Sequence, residues 1–300
     1  MRVKEYMRVN ALVELLEQRG VTCDDRTERI LMREGYYAVV NGYGKPFLDV
    51  AASDRADEDH YVAGTTFDQI YALFRFDREL RLLTFGELTR VEGMLRSVAS
   101  TAFLDAHPEP DAFLSERSYT SERDYLLNKR DWERNLRGLL RTLSRYASDH
   151  DNEVRSADTR VAYYQQNYDA VPLWVVFTDF SYGNLFHFVA LLKKGEQETM
   201  CRRLAMALSD GQEREPMSRQ ALVSDLDFLV DVRNLCAHGE RLYDAVRYDN
   251  FVRMMGRFLT SDDYAAYRAG LRELVRRYRG ISPVIDRALN RMHLEKLIGR

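Results

Sequence analysis

From Phe67 to Phe103 the chain runs for 37 residues without a proline. That is too long for a strand, which usually has about 3–10 residues. Thr66 stands where an N-cap hydroxyl belongs, so the sequence predicts one long helix over 67–103, broken afterwards by Pro108 and Pro110. A second apolar run, 221–237, contains neither Pro nor Gly and predicts a buried helix.

Helical spacing dominates elsewhere. Val9, Leu12, Val13, Leu15 and Leu16 recur on one face and stop at Gly20. Asp25 with Glu28 has the form of a capping box opening a helix that ends at Gly35. Further helical patterns cover 121–148, 154–168, 198–208, 248–259, 262–278 and 283–298, and Ser181 is placed to cap a helix through Leu192. The exceptions lie near the N-terminus. Residues 36–44 are aromatic and punctuated by glycine, the natural place for any short strand, and 49–60 reads as an exposed acidic loop. The expected fold is therefore all-α, a helical bundle with a small irregular N-terminal region. It reads as one unit over 1–300; a division, if any, falls near 108–120, and basic helices occupy 268–300.

Composition narrows the function. A formal charge of −3 argues against a chain that is basic overall, so any nucleic-acid contact is local. Of 44 basic residues 38 are Arg and six are Lys; Arg is the better bidentate phosphate ligand, and a coding bias explains the ratio equally well. Cys23, Cys201 and Cys236 are far apart and signal neither a disulfide framework nor a zinc site. No signal peptide and no membrane-length apolar window is found, which reads as a soluble, cytoplasmic protein. Gly-rich phosphate loops, HExxH and a nucleophile elbow are missing from the sequence, and neither cofactor nor metal is expected.

One stretch calls for chemistry: Asp231-Val232-Arg233-Asn234-Leu235-Cys236-Ala237-His238-Gly239-Glu240-Arg241-Leu242-Tyr243. Its Arg–His spacing alone means little, because Arg55 to His60 and Arg145 to His150 repeat it, and Arg287 to His293 nearly does. Placement is what separates it. Asp227, Asp231, Asn234 and His238 are spaced four, three and four, along one helix face. Gly239 is expected to end the helix and leave His238 in its last turn, where the dipole favours an imidazolium by roughly 0.3–1 kcal/mol.

Arg233-Asn234-Leu235-Cys236-Ala237-His238, with Arg241-Leu242-Tyr243 behind it, resembles the signature of the Abi-like family of abortive-infection proteins, the AbiD/AbiF type, within the wider class of HEPN ribonucleases. Other pieces follow in the family's order. They are Gly35-Tyr36-Tyr37 through Gly42-Tyr43, Gly64-Thr65-Thr66-Phe67 with Phe76-Asp77-Arg78-Glu79-Leu80-Arg81, then Glu92 and Arg96, and Pro172-Leu173-Trp174 with Ser181-Tyr182-Gly183-Asn184-Leu185. The likeness spans roughly 10–260. It departs where a glutamate is expected after Trp174, since this chain has Thr178-Asp179.

The resemblance implies defence against phage and metal-independent RNA cleavage at a composite homodimer site. Arg233 and His238 would be the catalytic pair, with Asn234 assisting. A histidine supplies acid–base catalysis and an arginine clamps phosphate oxygens. Arg241 and Tyr243 are candidates for phosphate contact and base stacking, against a packed loop as the plain alternative. Arg272, Arg276 and Arg279, with Arg287, are candidates for a phosphate-tracking face, against a solvated helix surface. Two readings compete with the nuclease: Arg233 and His238 serve only as buried structural hydrogen-bonders, or the fold binds RNA, such as a structured non-coding RNA partner, without cutting it. His187 reads as a core or interface histidine.

Overall fold

A computed structural model describes residues 6–147, 160–211 and 213–294, and carries thirteen α-helices among them. In chain order these are α1 (Val9–Gln18), α2 (Thr27–Glu34), α3 (Val50–Ala56), α4 (Phe67–Ala106), α5 (Trp132–Ala147), α6 (Arg160–Asn167) and α7 (Leu173–Val176). Then follow α8 (Tyr182–Leu191), α9 (Lys194–Ala207), α10 (Arg219–Ala237), α11 (Tyr248–Met255), α12 (Ser261–Tyr278) and α13 (Pro283–Arg291). Among the described residues there is no strand, only the isolated bridges Thr22–Thr66 and Leu48–Tyr61. The fold is all-α. No helix among the described residues is long and apolar enough to cross a membrane.

The long helix forms as its sequence predicts, with the Thr66 hydroxyl accepting from the Gln69 amide at 3.3 Å. Ser181 likewise caps α8 through the Asn184 amide. Several boundaries differ. The cap of α2 is shifted by one residue: the Asp24 carboxylate accepts from the Arg26 amide, and the Thr27 hydroxyl accepts from the Asp24 amide, both at 3.0 Å. The segment read as an acidic loop folds into α3, whose N-cap Asp49 accepts from the Ala52 amide at 3.0 Å. Residues 37–41 form a π-helical turn, not a strand. Before α5 the chain makes 3₁₀ turns at 122–124 and 129–131, so that helix starts at Trp132. His150, the first six residues of the pattern over 154–168 and the end of the one over 283–298 lie outside the described residues.

The chain divides into two compact units. The first comprises Met1–Thr84, Leu235–Arg253 and Ala266–Arg300; the second comprises Phe85–Asn234 and Met254–Ala265. In the first, Phe67, Tyr71, Phe74, Tyr43 and Tyr243 pack in series with ring centroids 5.4–6.2 Å apart, stacked except for the edge-to-face pair of Phe74 and Tyr43. A buried hydroxyl cluster joins Tyr248 to Tyr267 at 2.7 Å and to Thr84 at 2.5 Å. In the second, Phe103, Tyr119, Phe188, Phe177 and Phe180 form a comparable aromatic core.

Candidate functional site

The last turns of α10 sort their residues by face. Leu222, Val223, Leu226, Leu229 and Val232 are buried, while Asp227, Asp231, Asn234 and His238 are all exposed. The polar stripe expected from the spacing is thus a solvent-facing one, and the imidazole is not buried. Arg233 lies between the faces, half-buried. Its guanidinium sits 5.8 Å from the Phe85 ring centroid, within cation–π range, and its Nε is buried without a hydrogen-bond partner.

His238 is not in the last helical turn but caps it. The Glu240 amide donates to Leu235 O at 3.0 Å, and the Gly239 amide reaches towards Cys236 O at 3.4 Å. This is a Schellman arrangement, with His238 at the C-cap and Gly239 following it in the left-handed region at φ 70°. Cys236, inside the signature, has its thiol pushed up to about 12 by burial, which makes it a protonated packing group.

The chain leaving that cap is held by a buried carboxylate. Asp77 accepts the Tyr243 amide at 2.8 Å, the Leu242 amide at 3.1 Å and the Tyr43 hydroxyl at 2.6 Å. Arg81 donates to Asp77, to Tyr43 Oη at 2.9 Å and to Glu240 O at 3.2 Å. Asp77 is wholly buried and Arg81 nearly so. The other charges of the same sequence piece are also paired: Arg78 with Glu34 at 3.2 Å, and Glu79 with the Tyr278 hydroxyl at 2.7 Å and Arg277 at 2.6 Å. A piece that the sequence singles out by resemblance is therefore a set of structural anchors. Tyr243 belongs to it, being 6% exposed and stacked on Tyr43 at 6.2 Å, so its ring face is not open to a base. Arg241 stays exposed, donating to Gly42 O at 3.1 Å.

The second unit has its own polar cluster. Arg96 pairs with Glu92 and donates to the backbone carbonyls of Thr178 and Phe180. The departure at Thr178 is accommodated because Arg96 uses its carbonyl, which any residue supplies. The Tyr182 hydroxyl is buried without a partner. Burial raises its pKa well above the tyrosine range, and the charge of Glu92 adds to this while that of Arg233 opposes it. His187 is half-buried; burial lowers its pKa, against the raising effect of Asp227. Tyr182 was visible in the sequence only as part of a resemblance, since nothing local marks its hydroxyl as orphaned.

Arg272, Arg276 and Arg279 are exposed on and just after α12. Arg276 is neutralised locally by Glu273, with two hydrogen bonds of 2.8 Å.

A family model described as Abi-like protein matches residues 29–244, from α2 to the residue after Tyr243. No curated protein matches the chain. No solved structure matches it either.

Proposed function

Since the chain belongs to the Abi-like family, whose name points to abortive infection, we propose that it is an anti-phage protein that cuts RNA without a metal, at a HEPN-type site completed by a second copy of the chain. The single observation carrying this reading is that Asn234 and His238 are exposed at the end of α10, and that the chain after His238 is held by the Schellman turn and by Asp77. An exposed histidine on a rigid support is what a proton-transfer group needs.

RNA brings its own nucleophile. One imidazole takes the proton of a 2′-hydroxyl, whose oxygen attacks the adjacent phosphorus. The bond from phosphorus to the 5′-oxygen breaks, and that oxygen receives a proton from the partner copy's imidazole. The products are a 2′,3′-cyclic phosphate and a free 5′-hydroxyl. Arg233 stabilises the charge growing on the non-bridging oxygens. Asn234, one turn before His238, orients the phosphate or the imidazole. In such a site His238→Ala removes roughly 10²–10⁴-fold of rate.

The test is cleavage of RNA in EDTA by the purified chain, with cyclic phosphate ends and loss of activity in His238→Ala. Cleavage that requires a divalent metal, or that survives the substitution, overturns the reading. Specific activity should also fall on dilution in step with the dimer fraction; constant activity from a monomer removes the composite site. The second reading, RNA binding without cleavage, draws on the exposed Arg272, Arg276 and Arg279. It predicts salt-dependent binding with no product.

A further inference from the structure

We propose that a basic groove in the first unit, formed by Lys45, Arg241, Arg287 and Arg291 over a floor that includes Tyr243, binds the phosphates of an RNA strand; this rests on the reading of the protein as one that acts on RNA. The groove encloses about 450 Å³, within the range of roughly 300–1,000 Å³ usual for ligand sites.

Its walls come from three places in the sequence. Val284, Arg287, Ala288 and Arg291 recur at helical spacing and all line it, so one face of α13 forms a side. Ser282 caps that helix by accepting from the Ile285 amide, which fixes where the face begins. Lys45 and Pro46 open a 3₁₀ turn on the other side. Arg241 enters from the loop after the signature histidine and is braced by Gly42 O at 3.1 Å and by Asp244 at 3.7 Å.

Charge is what marks the groove. Among the described residues, four cations line it against the single carboxylate of Asp244. Arg241 is the one that meets that carboxylate; Lys45, Arg287 and Arg291 have no ion pair among the described residues. Neighbouring arginines behave differently, since Arg276 is matched by Glu273 and Arg277 by Glu79. Like charges gathered around a concavity repel one another until an anion enters. Cations on separate elements suit successive phosphates better than one compact anion. Tyr243 is stacked on Tyr43 and offers no open ring face, so the groove reads backbone charge and not base sequence.

The test uses the His238→Ala chain, so that cleavage does not consume the probe, and a fluorescent single-stranded RNA oligomer titrated across a salt series. Replacing Lys45, Arg287 and Arg291 together by Ala should weaken binding and flatten the log–log salt slope by about 2, since each phosphate neutralised on a single strand accounts for about 0.7 of that slope. A control removing three exposed charges elsewhere, Arg130, Arg141 and Lys194, should keep the slope. An unchanged slope in the groove variant overturns the proposal. Competition by ATP as strong as by the oligomer would assign the groove to a free nucleotide and overturn the strand reading. The two proposals fail separately. A wild-type chain that binds through the groove but yields no product in EDTA loses the nuclease alone. A chain that cuts RNA while the groove variant keeps its slope loses the groove alone.

Discussion

The carboxylate of Asp77 and the backbone amide of Tyr243 meet at 2.8 Å, 166 residues apart in sequence and both buried. Through this hydrogen bond α4 determines where the chain goes after His238. The same carboxylate holds Leu242, Tyr43 and Arg81. Removing it strands a buried guanidinium and two backbone amides together. Breaking a buried pair from one side costs about 3–5 kcal/mol, so Asp77→Ala should lower unfolding free energy in urea by that amount. Tyr43→Phe removes one hydroxyl from the same cluster and should lose about 1 kcal/mol. A drop of less than about 1 kcal/mol for Asp77→Ala, no more than one ordinary hydrogen bond contributes, would remove the carboxylate's role as anchor.

Gly44 is required by space. A Cβ there would lie 2.6 Å from Val40 O and 2.7 Å from the Tyr61 hydroxyl. The carbonyl belongs to the π-helical turn and cannot swing aside as a side chain would. Gly44→Ala should therefore destabilise the fold by about 1–3 kcal/mol, the usual range for overpacking. It should also disturb the turn that begins at Lys45, and so weaken RNA binding. Thermal unfolding together with the salt series checks both; an unchanged midpoint excludes the clash.

Asp77 and Gly44 show what a sequence conceals. The helices α4 and α10 were legible because their apolar residues recur over many turns with no Pro, although His238 proved to cap α10 and not to lie in its last turn. The π-helical turn was not legible: Tyr37, Val39 and Val40 have the side chains of a strand, yet Val39 and Val40 are buried within helical geometry. Nor was α3, which contributes no buried residue and is marked only by the cap at Asp49. At the site, the spacing set Asn234 and His238 on one face, and both residues are exposed. The long apolar run suggested that this face was buried, when the run belongs to the opposite side of the helix. The anchoring role of Asp77 depends on backbone amides 165 and 166 residues away, and no local pattern encodes it.

Asp225 makes stability depend on pH. Burial raises its pKa to about 6, and Arg257, 3.0 Å away, opposes that shift only in part. The folded chain thus holds this proton more tightly than the unfolded chain, whose Asp titrates near about 3.9. Its contribution to stability is complete below about pH 4 and is lost as pH rises through about 6. Asp225→Asn should remove that component, so the difference in urea midpoint between variant and wild type should favour the variant more at about pH 7.5 than at about pH 4. A difference that stays constant across this window sinks the assignment.

Gly239 and His238 separate support from chemistry. His238 is exposed, so His238→Ala should change stability by no more than about 0.5 kcal/mol, as for surface positions generally, while abolishing cleavage. Gly239 carries φ 70° at the Schellman position, where a Cβ costs roughly 1–2 kcal/mol. Gly239→Ala keeps the imidazole but strains the turn that holds it, and an error of about 1 Å in a catalytic group costs on the order of 10²-fold in rate. Gly239→Asn accepts the left-handed conformation and should recover most of both deficits. Comparing the three variants by urea unfolding and by RNA cleavage in EDTA therefore isolates placement from composition. If Gly239→Ala is less stable yet cleaves at the wild-type rate, the turn supports the fold and has no part in aiming His238.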